Sequence, residues 1–412
     1  MKFPEPKTFR GAMSPAILFS WACGCGIFEF PSGHPRPVLS LFWSSLHFVV
    51  YLSSCLGIIR IPILPIVRET PLIKYYYYIN SCFGTMCVIT SIVGARKIQK
   101  LKNFHHRLKK VNKNLQKNFG IPEDYGAAFK CNLVHLIVAF INIIIITFAS
   151  GIFIINAQNS SLIIFWISRI YQIIYMSTLI CTYCGLIRYI SNRFQQLNAY
   201  ILELAFSDSE TIPFLQSLSR SKFSPHSLIM FEIHGDLRLA KAADIHWKVY
   251  VLREVRSIHH ELCMAAEEIN RVFGIQIVFV MGMSIYNITS LIFGLYLLLT
   301  TPTMMFQNFH HAYFFYNLSW FSFFLTVIFY IVHCSSMVSD EAQKIGKLMY
   351  EVGKRNKETQ DEINAFSIQL LKNPLKLTAN GFFVLDYKMI CAVGGLVSTY
   401  LVILIQMHAV SN

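Results

Sequence analysis

The chain has 412 residues and a formal net charge of +14; hydrophobic residues make up 54% of it and charged residues only 14%. A soluble globular domain usually carries about 25% charged residues, so nearly half of the charge needed for a polar surface is missing. The composition therefore excludes an ordinary soluble protein and indicates that the chain is embedded in lipid.

The first 37 residues do not fit a secretory signal peptide. Charged residues such as Lys7, Arg10 and Glu29 interrupt this segment, and its prolines and glycines rule out a continuous apolar helix. We therefore expect a cytoplasmic N-terminal segment, after which the first membrane span acts as the insertion signal.

Seven segments are long and apolar enough to cross roughly 30 Å of hydrocarbon as helices, which takes about 20 residues each. The third is the clearest, whereas Lys74 weakens the second and Arg169 weakens the fourth. Lys74 can snorkel from near the end of its span, but Arg169 cannot do so as easily. The predicted spans are 38–59, 72–95, 132–155, 162–187, 272–299, 313–338 and 387–407.

Basic residues are distributed unevenly between alternate loops. We assign 32 of the 36 Lys and Arg residues to the N-terminal segment, the loops after the second and fourth spans, and the region between the sixth span and Lys388. Because Lys and Arg accumulate on the cytoplasmic side, this pattern predicts a cytoplasmic N-terminus and an extracellular C-terminus. Basic residues that flank apolar runs also favour cytoplasmic loops over nucleic-acid binding.

The loops on the predicted cytoplasmic side contain helical patterns of their own. From Val255 the apolar residues recur in alternating steps of three and four, which is typical of a helix that packs on other helices. This helix should run unbroken into the fifth span, and a second apolar seam between 345 and 370 should pack beside it. The sequence thus predicts an all-α membrane protein with seven transmembrane helices and cytoplasmic helical extensions.

The predicted domains follow from these boundaries. In chain order they are a cytoplasmic N-terminal segment (1–37), transmembrane helices one to four (38–187) with a basic cytoplasmic loop (96–131), a cytoplasmic helical region (188–271), transmembrane helices five and six (272–338), cytoplasmic anchor helices (339–386), the seventh transmembrane helix (387–407) and an extracellular tail (408–412).

Enzyme and metal-site motifs are missing from the sequence. It has no Gly-rich phosphate loop, no His-Glu-x-x-His motif and no Gly-x-Ser-x-Gly elbow. The three His-His pairs are adjacent in sequence, and neighbouring residues point about 100° apart on a helix, so they form no chelating face. We expect neither catalysis nor a bound cofactor or metal.

Polar residues inside the spans give the first candidate site, because each costs free energy unless it faces water, a cavity or a partner. Arg169 is the most costly, at about 2.5 to 3.5 kcal/mol near a helix centre, and it either snorkels outward or lines an aqueous pocket. We favour the pocket because aromatic and polar residues gather at similar depth, although interfacial aromatic residues also form belts. The candidate ligand-binding residues are Arg169, Trp166, Tyr286, Asn287, Tyr316, Asn317 and Trp320.

The last span is nearly free of charge but carries polar residues on one face, because Thr399 and Gln406 are seven residues apart. If several copies of this helix surround an axis, Gln406 forms a polar ring, and the neighbouring aliphatic residues form a narrow constriction that gates ions by dewetting. The candidate pore and gate residues are Thr399, Ile403, Gln406 and Met407.

These last residues resemble the insect gustatory receptor family, which is marked near its C-terminus by Thr-Tyr, five hydrophobic residues and Gln-Phe. The corresponding residues here are Thr399-Tyr400, the hydrophobic run 401–405, Gln406 and Met407. Earlier stretches also look like the family, namely 262–274 before the fifth span, 366–371, 377–381 and 383–386.

The resemblance implies a homotetrameric, ligand-gated, non-selective cation channel in the plasma membrane of chemosensory neurons. Its last helix would line a shared pore, and its other helices would surround a pocket open to the outside. The partners would be a small-molecule tastant, sugar-like or bitter, permeating cations, membrane lipid and related receptor subunits if the channel is not formed by this chain alone. Gln406 carries over to the family's gate directly, whereas Met407 replaces its Phe with a flexible thioether.

Two other classes of membrane protein compete with this interpretation. A seven-helix G-protein-coupled receptor would need an extracellular N-terminus and normally carries Asp-Arg-Tyr and Asn-Pro-x-x-Tyr motifs, which this sequence lacks. A small-solute transporter can use an intramembrane arginine to bind anions, but the predicted spans contain no carboxylates and no repeated halves.

Overall fold

The computed structural model describes residues 6–25, 36–60, 71–97, 102–157, 162–207, 237–300, 310–352 and 357–411. Within these ranges the chain forms eleven helices and, in place of a sheet, one isolated bridge between Thr378 and Val384. The helices are α1 (Phe9–Ala12), α2 (Ser14–Ala22), α3 (Pro37–Arg60), α4 (Pro71–Lys97), α5 (Lys102–Phe119), α6 (Tyr125–Ala157), α7 (Leu162–Ser207), α8 (Leu237–Thr300), α9 (His310–Val352), α10 (Lys357–Lys372) and α11 (Tyr387–Ser411).

Six stretches in the described part of the chain are long and apolar enough to cross a membrane. The second predicted span corresponds to α4, which is helical throughout but is not among the six. The predicted fold class, an all-α membrane protein with helical extensions, is confirmed, whereas the count of seven spans and the orientation of the termini stay predictions. The six stretches are Pro37–Cys55, Tyr125–Ile155, Trp166–Glu203, His246–Leu297, His311–Met349 and Tyr387–Ala409.

Three helices are much longer than a membrane is thick. Helices α7, α8 and α9 contain 46, 64 and 43 residues, and at 1.5 Å per residue they measure about 70, 95 and 65 Å. The hydrocarbon core of a bilayer is about 30 Å thick, so each helix extends well beyond it. The prediction that the helix from Val255 continues unbroken into the fifth span is confirmed.

The extended parts of these helices pack against one another and against neighbouring helices. Helix α8 contacts α5, α7, α9 and α10, and the two apolar seams predicted from the sequence are buried between them. The buried seam residues are Val255, Ile258, Leu262, Ala265 and Ile269 on α8, Ile345 and Met349 on α9, and Ile363 and Phe366 on α10.

Ion pairs attach α5 to these packed helices. The Arg107 guanidinium lies 2.6 Å from a Glu261 carboxylate oxygen and 3.2 Å from one of Glu268. The hydrogen bond to Glu261 raises the pKa of Arg107 above its usual value. Helix α5 is therefore held against α8 by these ion pairs and by the buried apolar face of α5.

The N-terminal segment is integrated into the helical bundle. Residues of α1 and α2 pack against α6 and α7, and the rings of Phe19 and Phe140 lie 5.4 Å apart. The Trp43 indole donates to the Trp21 carbonyl at 3.1 Å, so a side chain of α3 bonds the last turn of α2. The sequence did not predict this packing, because a helix of nine residues is too short to register as a membrane span.

Candidate ligand pocket and pore-lining helix

Arg169, on α7, is the centre of the predicted site and is only 2% exposed. One terminal nitrogen of its guanidinium donates to Gln172 Oε1 at 3.1 Å, and the other donates to Asn287 Oδ1 at 3.0 Å. Its Cζ lies 4.2 Å from the ring centroid of Trp320, so the guanidinium makes a cation–π contact with that indole. One buried side chain therefore connects α7 with α8 and α9.

The hydrogen bonds around Arg169 continue to two further helices. Asn287 donates to Asn80 Oδ1 on α4 at 3.0 Å, and Gln172 donates to the Tyr51 hydroxyl on α3 at 3.4 Å. A glycine at position 84 leaves room for this network, because a Cβ there would collide with the Gln172 amide nitrogen and lie 2.6 Å from the Tyr51 oxygen. Such a network keeps a buried guanidinium solvated by protein groups.

A small cavity lies beside Arg169, between α6, α7 and α9. Its volume is about 10 Å³, which is room for about one water molecule. Stacked aromatic rings form much of its wall, with Phe153 and Tyr316 5.1 Å apart. The cavity is therefore too small for a larger molecule, which can enter only if these rings move. The lining residues are Ser150, Phe153, Ile154, Trp166, Arg169, Tyr316 and Trp320.

Four of the seven predicted ligand-binding residues line this cavity: Trp166, Arg169, Tyr316 and Trp320. Asn287 does not line it but holds Arg169 in place. The remaining two residues lie elsewhere. Asn317 is buried, with its amide donating to the Tyr313 carbonyl one turn earlier on α9, and Tyr286 on α8 is half-buried and outside the lining.

Several buried polar atoms around the cavity have no partner. Among the residues that the structure describes, Trp166 Nε1, Trp320 Nε1 and Ser150 Oγ make no hydrogen bond. A buried polar group without a partner costs about 1 to 3 kcal/mol. All three atoms belong to residues that line the same cavity.

Sequence reasoning missed Phe153 and Ile154 of the lining and four polar residues, namely Gln172, Asn80, Tyr51 and Ser150. The four polar residues lie inside predicted spans. The free-energy cost of a polar group in lipid was therefore the signal by which they could have been found. Their partners, however, are on other helices, and no spacing within the chain reveals which polar residues meet.

The last helix, α11, presents most of its surface outward. Thr399, Ile403, Gln406 and Met407 are all exposed in a single copy of the chain, although this helix is apolar and nearly free of charge. A contact with α8 is made near the far end, where His408 meets the ring of Phe293 at 6.2 Å. The four predicted pore residues thus share an accessible helix without packing into the core of their own subunit.

The segment before α11 is packed tightly by contrast. Leu377, Ala379 and Leu385 are buried, and two backbone hydrogen bonds close a short hairpin between residues 377 and 385. A Cβ at Gly274, on α8, would lie 3.0 Å from the Asn380 backbone nitrogen, so this glycine lets the hairpin approach α8 closely.

Helix α9 also holds the base of α11. The Tyr387 hydroxyl and His333 Nδ1 share a hydrogen bond at 2.7 Å, and Tyr387 is the first residue of α11. Helix α9 carries Tyr316 and Trp320 of the cavity as well, so a single helix connects the cavity with the start of the exposed last helix.

Six helical stretches long and apolar enough to cross a membrane, with a small cavity among the helices, indicate a multi-pass membrane protein. Residues 14–410 match the family described as 7tm Chemosensory receptor, and the chain belongs to this family. Its members are receptors, which agrees with the lack of enzyme motifs and confirms the predicted resemblance to the insect gustatory receptor family.

Three relatives from Drosophila melanogaster match part of the chain. Gustatory and pheromone receptor 32a is 26% identical over 149 residues, which is 36% of this chain and 32% of that protein. Putative gustatory receptor 28b is 25% identical over 169 residues, 38% of this chain and 34% of the relative, and gustatory receptor 68a is 28% identical over 159 residues, 37% and 40% respectively. The matched region spans only 32% to 40% of these relatives' length.

Solved structures of an olfactory receptor have the same fold. The insect olfactory receptor OR5 from Machilis hrabei in complex with eugenol superposes with a TM-score of 0.63, at 13% identity, over 97% of this chain and 98% of that one. A second structure of OR5 from Machilis hrabei gives a TM-score of 0.60 at 15% identity over the same shares. The likeness therefore covers the whole architecture at very low sequence identity.

Proposed function

We propose that this chain is a gustatory receptor that acts as a ligand-gated, non-selective cation channel, opened by an extracellular small molecule. Four copies surround one pore, each contributes α11, and the closed gate lies at Gln406 and Met407. Arg169, Trp166, Tyr316 and Trp320 form the ligand site, and the channel resides in the plasma membrane of chemosensory neurons.

The observation that carries this proposal is the exposed polar stripe on α11. Thr399 and Gln406 are both exposed and lie on one face of an otherwise apolar helix. A helix that faced only lipid would leave an unsatisfied amide in hydrocarbon, which costs free energy. An aqueous axis shared with other copies satisfies the Gln406 amide and leaves the aliphatic faces for lipid and for packing.

The position of the cavity supports control of this pore by a ligand. Trp320 on α9 lines the cavity, and His333 on the same helix bonds Tyr387 at the start of α11. Arg169 reaches α8 through Asn287, and α8 contacts α11 as well. A molecule that separates the rings of the cavity therefore acts on both helices that hold the pore helix.

The test is to record currents from cells that express only this chain while a panel of sugars and bitter compounds is applied. We expect an inward cation current that appears without delay and persists in excised membrane patches. A response that needs cytosolic nucleotides would instead support a G-protein-coupled receptor. A current that disappears when the gradient of the test compound is abolished would support a transporter.

The predicted topology gives an independent check on the same proposal. A tag on Met1 should be inaccessible to antibody on intact cells, and a tag on Asn412 should be labelled without permeabilisation. Labelling of the N-terminal tag on intact cells would contradict the channel architecture.

A further inference from the structure

We propose that the ligand of this receptor is a compact, planar, largely apolar molecule that carries hydrogen-bond acceptor oxygens and few donors. Aromatic esters and ketones belong to this class, whereas sugars and other polyols do not. The inference rests on the proposed role of the cavity as the ligand site, and it deepens that proposal by choosing between its two ligand classes.

The shape of the ligand follows from the wall of the cavity. Four rings line it, those of Phe153, Trp166, Tyr316 and Trp320, and the free volume is only about 10 Å³. A ligand must therefore slide between rings and replace their mutual contacts. Flat apolar molecules do this with the least loss, because they present an aromatic face to each ring.

The polar groups of the cavity are mainly donors. An indole nitrogen donates a hydrogen bond but cannot accept one, and the same is true of a guanidinium. Trp166 Nε1 and Trp320 Nε1 have no partner among the described residues, and Ser150 Oγ, which can donate or accept, has none either. A ligand that offers acceptor oxygens satisfies these groups.

A polyol fits this inventory poorly. Each sugar hydroxyl carries a proton that needs an acceptor, and the side-chain acceptors in the described lining are the hydroxyls of Ser150 and Tyr316. Most hydroxyl protons of a bound sugar would be removed from water without a replacement, and each such loss weakens binding.

An anionic ligand is disfavoured by the way Arg169 is held. One N–H of each terminal nitrogen already donates, to Gln172 and to Asn287, and one face of the group covers Trp320. These contacts fix the guanidinium in its present orientation, so a carboxylate would have to approach it there through the aromatic wall of the cavity. A neutral acceptor can bond the two indole nitrogens and leave the guanidinium where it is.

The experiment compares four probes on cells that express only this chain, and on the purified protein. Methyl benzoate has acceptor oxygens and no donor, isopropylbenzene has a similar shape without an acceptor, fructose is a polyol, and benzoate is an anion. Binding is measured as a shift in the melting temperature of the purified receptor, and opening as current. We expect methyl benzoate to act at about tenfold lower concentration than isopropylbenzene, and fructose to have no effect.

Two substitutions test the contacts themselves. Trp166→Phe and Trp320→Phe keep a ring but remove the indole N–H, so each should raise the effective concentration of methyl benzoate several-fold and leave that of isopropylbenzene unchanged. Trp247→Phe on α8, outside the cavity, should change neither and serves as the matched control. Equal shifts for both probes would mean that the indoles act only by packing.

The outcomes separate the ligand class from the channel proposal. A melting-temperature shift with methyl benzoate but no current would support the ligand class and contradict the channel. Binding of fructose, tighter binding of benzoate than of the ester, or no binding of methyl benzoate would overturn the ligand class, whether or not currents are seen.

Discussion

The Arg169 guanidinium covers the indole of Trp320, with 4.2 Å between Cζ and the ring centroid. The cation–π attraction is worth about 2 kcal/mol where both groups are removed from water. Trp320 is 1% exposed and also lines the cavity, so the same buried ring contacts both the cation and the cavity.

Replacing Trp320 should therefore impair the response to an agonist. In Trp320→Ala the ring contact with the ligand and the cation–π contact are both lost, and we expect the half-maximal agonist concentration to rise by more than tenfold. Trp320→Phe keeps a ring for Arg169 and should raise the half-maximal agonist concentration less. The measurement is a dose–response curve normalised to surface-labelled receptor; an unchanged curve for the alanine variant would make Trp320 a packing residue only.

Arg169 should not tolerate lysine. A lysine keeps the charge but has neither the planar group that stacks on Trp320 nor two separate nitrogens that reach Gln172 and Asn287 together. We expect Arg169→Lys to reduce the maximal current per surface receptor several-fold. Arg188→Lys, a half-buried arginine on the same helix, is the matched control and should stay near wild type. Indistinguishable currents from the two variants would show that Arg169 serves only as a positive charge.

Gly84 is expected to be sensitive to a single added methyl group. A Cβ there would collide with the Gln172 amide and approach the Tyr51 hydroxyl, so Gly84→Ala should destabilise the bundle by about 1 to 3 kcal/mol. At Gly151, in α6, no heavy atom lies within 4 Å of the added Cβ, and Gly151→Ala should be neutral or slightly stabilising. The measurement is the melting temperature of each purified variant, which should be lower for Gly84→Ala than for Gly151→Ala. Equal melting temperatures would mean that the Gln172 side chain moves away freely.

The fold was largely predictable from the sequence, and the reason is physical. Apolar runs of membrane length and the seam that starts at Val255 report burial directly, and the structure has helices where they were predicted. The polar surroundings of Arg169 were also predictable, because a single arginine in a span must find such groups.

What could not be predicted depends on contacts between distant parts of the chain. Nothing near Gly84 in the sequence shows that Gln172 and Tyr51 meet beside it. The packing of Phe19 against Phe140 was missed because a short helix between prolines and glycines resembles a loop. Asn317 was predicted as a ligand group from its depth, and the sequence did not show that its amide donates to the preceding turn of the helix.

The hairpin before the pore helix should control gating through Gly274. A Cβ added at Gly274 would lie 3.0 Å from the backbone nitrogen of Asn380. A backbone atom cannot rotate away as a side chain can. Gly274→Ala should push the hairpin, and with it the base of α11, away from α8. We expect a changed ratio of basal to maximal current at near-normal surface expression. The same ratio as in wild type would mean that the hairpin absorbs the displacement before α11 begins.

Within that hairpin Asn380 and Gly381 have φ values of 51° and 83°. This left-handed region is open to glycine at little cost and disfavours most other residues. The hairpin therefore has a defined shape, which is why a displacement at Gly274 should be transmitted to Tyr387 and not be lost in a flexible loop.

The gate prediction concerns Met407 and Gln406, which the proposed tetramer brings together near the axis. Narrow pores with apolar walls expel water, so a smaller or more polar side chain should let the closed pore leak. Met407→Ala should widen the constriction, and Met407→Ser should widen and wet it. Both variants should raise the current in the absence of agonist, and the serine variant should raise it more.

Gln406→Ala should alter conductance or ion preference more than agonist affinity. Lys388, near the opposite end of α11 and exposed, supplies the control, since Lys388→Gln should leave basal current unchanged. The recordings are whole-cell currents before and after a pore blocker, scaled to surface expression. If both Met407 variants reach the surface and keep wild-type basal current and block, the pore is not closed at this end of α11.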